Sequence, residues 1–153
     1  MKRLSLLCAL MAFTLIGTVH SAAQDLGDWR AASSTAKTIT GDVAFTREKL
    51  YISFVPFWIA QIRTLTPDEL NATFPAESSA GGTANLYRLS IPSDKKFLHK
   101  NTLCGSDDTQ WVAAYATGNT LQLAFFSGSH IPTLTPDALA NSSTLCGIFS
   151  YQR

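Results

Sequence analysis

Apolar and polar residues alternate on both sides of Gly118-Asn119, and that alternation predicts a β-hairpin over residues 110–128, QWVAAYATGNTLQLAFFSG. A two-residue turn there sets Thr117 opposite Thr120, Ala116 opposite Leu121, Tyr115 opposite Gln122 and Ala114 opposite Leu123. Ala113 then faces Ala124, Val112 faces Phe125 and Trp111 faces Phe126. Successive pairs lie on opposite faces of the ribbon. One face is wholly apolar (Ala116, Leu121, Ala114, Leu123, Val112, Phe125) and is expected to form core. The other runs from Thr117 and Thr120 at the turn, through Tyr115 and Gln122, to Trp111 and Phe126 at the open end, and is expected to be half wet. A slip of one residue in either strand would exchange the faces.

The same pattern organises the rest of the chain. Residues 38–46 read as a strand that turns through Arg47-Glu48-Lys49 into residues 50–54, with Val43, Phe45, Ile52 and Phe54 buried and Thr46, Tyr51 and Ser53 opposite. Pro56 interrupts the apolar run 50–62 and predicts a bend, a bulge or an edge position, after which residues 57–62 continue as strand. Thr66-Pro67-Asp68-Glu69 carries an N-cap, a proline at the first helical position and a capping-box glutamate, so a short helix follows. Residues 76–83 are small and glycine-rich and read as a loop, residues 86–91 as a strand stopped by Pro92. Residues 93–100 hold the basic cluster Lys95, Lys96, His99 and Lys100 around Phe97 and Leu98, read here as a solvated loop. A second short helix follows Thr135-Pro136-Asp137, and residues 145–151 form the last strand.

One segment recurs. Thr64-Leu65-Thr66-Pro67-Asp68-Glu69-Leu70 returns as Thr133-Leu134-Thr135-Pro136-Asp137-Ala138-Leu139, each copy after a hairpin-like unit. A duplicated hairpin-plus-helix unit and the repeated use of good helix-start chemistry both account for it.

The start of the chain changes the address. Met1-Lys2-Arg3, the apolar run 4–19 and the small residues Ser21-Ala22-Ala23 predict a signal peptide over residues 1–23, cleaved before Gln24, and hence a secreted or periplasmic protein with no membrane span after cleavage. The remainder, 24–153, is expected to be one domain. It holds 10 Lys/Arg and 11 Asp/Glu, since Lys2 and Arg3 leave with the leader, for a net charge near −1. Nucleic acid is excluded as a partner, because phosphate binding needs several cations on one face. Cys104 and Cys146, each in Leu-Cys-Gly, are expected to pair. That bridge would span a separation of 42 residues and contribute about 3–4 kcal/mol on the chain-entropy model.

Little chemistry is on offer. His99 and His130 are the histidines after the leader; Ser127, Ser129, His130 and Asp137 spell a triad on paper, but no G-x-S-x-G elbow fixes them. Asp107-Asp108 is too few ligands for calcium and reads as a turn. No C-x-x-C, phosphate loop or metal pattern is present, so neither cofactor nor metal is expected, and catalytic residues are assigned to none. The aromatics are the richer resource. Trp58, Trp111, Tyr115 and Phe126 are the candidate ligand-binding residues.

Gly27-Asp28-Trp29, set just before a run of antiparallel strands, resembles the G-x-W opening of the lipocalins and related calycin barrels. The resemblance implies a barrel whose tryptophan closes one end and whose cavity holds a small apolar ligand; the T-D-Y motif is missing and the one late arginine is Arg153. The chain is also similar to small periplasmic metalloprotease inhibitors in its G-x-W, its Ala124-Phe125-Phe126-Ser127 strand and its single disulfide. That similarity implies a free N-terminal arm, here residues 24–28, and an envelope or secreted protein as partner. The expectation is therefore a mainly β chain, a single antiparallel barrel or sandwich of about eight strands with two short helices. It would act as a non-enzymatic binding module for a small apolar ligand or, alternatively, for a protein.

Overall fold

Nine strands share one antiparallel sheet in the computed structural model, which describes residues 25–75 and 81–153. The expected leader, residues 1–23, and Gln24 lie outside the described residues, as does part of the glycine-rich loop, 76–80. In chain order the elements are β1 (Gly27–Ala31), α1 (Ser34–Ile39), β2 (Val43–Phe45), β3 (Lys49–Ile52), β4 (Val55–Trp58) and β5 (Ala60–Thr64). They continue with α2 (Pro67–Thr73), β6 (Thr83–Ile91), a 3₁₀ turn (Leu98–Lys100), β7 (Thr109–Thr117), β8 (Thr120–Ser127), α3 (Pro136–Ala140) and β9 (Leu145–Gln152).

The sheet order is β4-β3-β2-β1-β9-β8-β7-β6-β5, so its two edge strands are consecutive in the chain with Ile59 alone between them. Eight inter-strand steps of about 4.8 Å would hold flat edges roughly 38 Å apart. Two residues reach only about 7 Å. The sheet must therefore curl until its edges meet at Ile59. A second corner lies in β1, whose Gly27–Trp29 pair with β2 while Arg30 and Ala31 pair with β9. Strands that change partner at a bend are how a sheet turns back over its own core. Pro56 sits on β4, an edge strand, where its missing N–H interrupts no interior ladder.

β7 and β8 pair in the predicted register, from Thr117 opposite Thr120 to Trp111 opposite Phe126. Gly118 takes φ +52° at the first turn position, a conformation glycine adopts without steric cost. The predicted core face is core: Val112, Ala114, Ala116, Leu121, Leu123 and Phe125 are buried with Leu50, Ile52, Phe57, Tyr87, Leu89, Phe149 and Tyr151 in one cluster. The opposite face departs from expectation. Trp111, Tyr115 and Phe126 are not half wet; they are 5%, 1% and 1% exposed, inside a second cluster with Leu65, Phe74, Leu86 and Leu134. The reason is tertiary, because α2 and α3 lie across that face.

Those helices are the two copies of the repeated segment. Thr66 caps α2 with a full capping box, and Thr135 caps α3 by accepting from Ala138 N–H. The equivalent leucines do equivalent work: Leu65 and Leu134 are buried in the second cluster, and Leu70 and Leu139 pack against it. Glu69 also forms a two-pronged pair with Arg63, each N···O distance being 2.6 Å.

α1 is the third helix, one more than expected. Ser33 caps it by accepting from Ala36 N–H at 3.1 Å, and Ala36 is its fully buried residue. The predicted strand over 38–46 accordingly shrinks to β2. Thr40, just after α1, shares a 2.7 Å hydrogen bond with the buried Tyr151 hydroxyl, and burial pushes that phenol's pKa up. Phe54, expected inside, is 96% exposed because it occupies the β3–β4 turn rather than a strand position. Cys104 and Cys146 are bonded, Cα to Cα 4.9 Å, tying the segment before β7 to β9.

Two outcomes follow from this packing. Leu65→Ala and Leu134→Ala should each lower unfolding free energy by roughly 2–4 kcal/mol in urea titration, with a similar loss for the two if the repeats are equivalent. The hydrogen bond from Arg63 holds the Glu69 carboxyl at about 2, below its ordinary 4.5. A depressed folded-state pKa gives stability that is present above the unfolded value and lost as pH falls through the folded one. Both side chains are partly solvated, so Glu69→Gln should cost about 1 kcal/mol or less at neutral pH. That gap should close between pH 4.5 and 2 when both variants are titrated together.

Candidate binding surface

A sheet curled in this way offers a ligand its interior, one of its ends or its outer wall. The interior is occupied: Leu50, Ile52, Val112, Ala114, Leu121, Leu123 and Phe125 have no exposed surface. Burial of such side chains stabilises by about 1.5–3 kcal/mol each relative to exposure, which keeps the centre filled.

One end is tied by residues 25–29 and Arg153. The Trp29 indole N–H donates to the Asp25 carbonyl at 2.9 Å, and the Arg153 guanidinium lies 4.1 Å above the indole ring. Arg153 also donates to the Leu26 carbonyl, and its backbone N–H donates to Asn119 at the β7–β8 turn. Gly27 has φ +113°, and a Cβ there would lie 3.3 Å from Arg153 Nη2, so a side chain would strain both backbone and clasp. The Tyr87 hydroxyl donates to Asp25 Oδ2; burial first, and that carboxylate second, raise the phenol's pKa. From Asp25 onward, then, the expected free arm is held in place. Trp29 was expected to pack across an end of the core; that the chain's last arginine would cover it had no local signal, since a cation–π pair between residues 29 and 153 leaves no pattern in sequence.

The outer wall is divided. Over β6–β8 it is covered by α2 and α3. Over β1–β4 it is open, and register identifies what it shows: Asp28, Ala44, Tyr51 and Pro56 form one row across four strands, with Lys49 opposite Trp58 in the next. Trp58 is 67% exposed, with Lys49 Nζ 4.3 Å from its ring, a contact worth about 0.5–1 kcal/mol at such a site. Beside this row lies a depression of about 1100 Å³ lined by residues that include Trp29, Arg30, Val43, Tyr51, Phe54 and Arg153. Asp28, Ala44 and Tyr51 of that row line it as well.

The four candidate aromatics therefore fall in two places. Tyr115 stacks on Phe74 with ring centroids 5.7 Å apart and donates to the Gly81 carbonyl; Trp111 donates to the Gly128 carbonyl and carries Arg88 4.5 Å above its ring. Both are in the covered cluster with Phe126, while Trp58 stands on the open wall. Phe126 also borders a polar depression of about 320 Å³ with Ser127, Ser129 and His130. Ser129 Oγ lies 3.4 Å from His130 Nδ1 on an exposed loop, whereas Ser127 Oγ faces the Thr144 carbonyl. Asp137 serves the turn of α3, its carbonyl accepting from Asn141. Asp108 accepts from Ser93 N–H at 2.8 Å and so fixes a turn. No group of three or more His, Cys, Asp or Glu able to hold a metal occurs among the described residues.

No family model, curated protein or solved structure matches the chain. Among the described residues no helix is long and apolar enough to cross a membrane.

Proposed function

We propose that this chain is an exported protein-recognition module whose contact surface is the open wall of β1–β4 around Tyr51, Pro56 and Trp58. The observation that carries this reading is the contrast between a filled interior and a large exposed aromatic on the uncovered wall. A tryptophan left two-thirds in water on the same wall as a tyrosine brings together two residue types enriched at protein interfaces. The leader expected over residues 1–23 and the Cys104–Cys146 bridge support delivery to an oxidising compartment, secreted or periplasmic. Its partner would be an envelope or secreted protein, and its role binding rather than catalysis.

A second reading, a small apolar ligand, draws on the depression beside Trp29, Val43 and Tyr51. Native mass spectrometry of the protein purified gently from its own compartment separates the two. A protein adduct is expected, with Trp58→Ala weakening it by about thirty-fold or more. A small-molecule adduct retained by Trp58→Ala would overturn the proposal in favour of the depression.

A further inference from the structure

Every non-glycine residue with left-handed backbone among the described residues sits in one of two turns, and those two turns meet. Ser53 (φ 49°) and Phe54 (φ 67°) join β3 to β4, and His99 (φ 53°) and Lys100 (φ 62°) fall in the 3₁₀ turn. A Cβ on Gly41 would lie 3.1 Å from Leu98 Cδ1 and 3.4 Å from Ser53 Oγ, so both turns rest on the glycine that follows α1. They are held there firmly. Ser53 Oγ donates to the Thr40 carbonyl at 2.6 Å, Asn101 Nδ2 to the Thr38 carbonyl at 3.2 Å, and Phe97 N–H to the Asn101 carbonyl at 2.8 Å. The Phe97 ring meets Phe57 at 6.0 Å.

Left-handed backbone at both centres of a two-residue hairpin normally calls for Asn-Gly. Here the second centre is a phenylalanine, 96% exposed, and Leu98 on the neighbouring turn is 36% exposed. A bulky residue kept in a costly conformation so that it points into water is an outlier from which function is inferred. Charge adds a second observation. Of the five lysines among the described residues, Lys95, Lys96 and Lys100 lie in the segment that carries Leu98, and Lys37 lies on α1. Acids are present too: the exposed Asp94 in that segment, and the exposed Asp28 and Asp42, which line one depression with Phe54, Asp42 Oδ1 being engaged by Ala31 N–H at 2.9 Å.

We propose that this end of the barrel docks on an anionic lipid bilayer, with Phe54 and Leu98 entering the headgroup region and Lys96 and Lys100 against lipid phosphates. Two separate apolar tips, one of them in a segment that also carries Lys95, Lys96 and Lys100, fit a soft, phosphate-bearing surface. A protein interface would instead want a continuous apolar patch with aromatic and arginine anchors. Lysine's compact charge on a flexible stem also suits laterally mobile phosphates better than fixed, planar carboxylates. This inference stands apart from the recognition surface around Trp58, and either can fail alone.

Co-sedimentation of the chain with vesicles tests it. Phosphatidylglycerol–phosphatidylcholine vesicles should bind the protein and pure phosphatidylcholine should bind it much less, with the difference fading at high salt. The apolar run at residues 4–19, where retained, would add to both vesicle types alike. Lys96→Ala with Lys100→Ala should weaken binding on the order of thirty-fold, and Phe54→Gly on the order of ten-fold. Phe54→Gly should also raise the melting temperature by roughly 2–4 °C, because glycine accepts the turn without strain. That rise separates lost docking from lost folding. Equal binding to both vesicle types, or full binding by both variants, would overturn the proposal. So would lysine-dependent binding to immobilised polyglutamate with none to vesicles, which would assign the end to an acidic protein.

Discussion

The rest of the structure depends on the burial of one hairpin on both sides. β7 and β8, with β6 beside them, have buried apolar residues facing in both directions, and each direction has its own partner. Inward, Val112, Leu123 and Phe125 meet the residues of the curled sheet; outward, Trp111, Tyr115 and Phe126 meet α2 and α3. A ribbon with two apolar faces is unstable in water until both are covered. Its register therefore fixes where the remaining strands and the two repeated helices must go.

Covering one hairpin twice leaves the far wall uncovered. The chain has two helices of the Thr-Pro-Asp type, and both are spent on β6–β8. On β1–β4 the alternation is instead the simple one of an antiparallel sheet with one face in water: Val43, Phe45, Leu50, Ile52 and Phe57 inward, and Asp28, Ala44, Tyr51, Pro56 and Trp58 outward. This asymmetry puts a tryptophan and a tyrosine on open wall. Closure at Ile59 and the Trp29–Arg153 clasp then hold that wall against the filled core.

Much of this was legible before any coordinates. The hairpin register, the capping of α2 and α3 and the interruption at Pro56 (read as a bend, a bulge or an edge) rest on local chemistry, which is readable, and the Cys104–Cys146 bridge rests on two cysteines remaining after the expected leader. What was not legible depended on distant parts of the chain. Nothing near Trp111 or Phe126 says that two short helices, α2 (Pro67–Thr73) well before the hairpin and α3 (Pro136–Ala140) after it, will cover them. α1 was missed because a short helix burying one alanine leaves no apolar period. Phe54 was misplaced because alternation assumes strand backbone, and a left-handed pair at Ser53-Phe54 breaks it with residues that rarely adopt that shape. Of the four candidate aromatics, only Trp58 stands on the wall to which function is assigned here; for the other three, composition could not distinguish a second core from a pocket.

Native-state hydrogen exchange tests the central claim, that the doubly buried hairpin is the unit on which the fold depends. The amides of β7 and β8 that bond one another should exchange only through global unfolding, with protection equal to the full unfolding free energy. Those of β4 and β5, at the two sheet edges, should open at lower free energy. If β7 and β8 instead exchanged as easily as the edge strands, or exchanged before them, the hairpin would not be the anchor of this structure and the account built on it would fall.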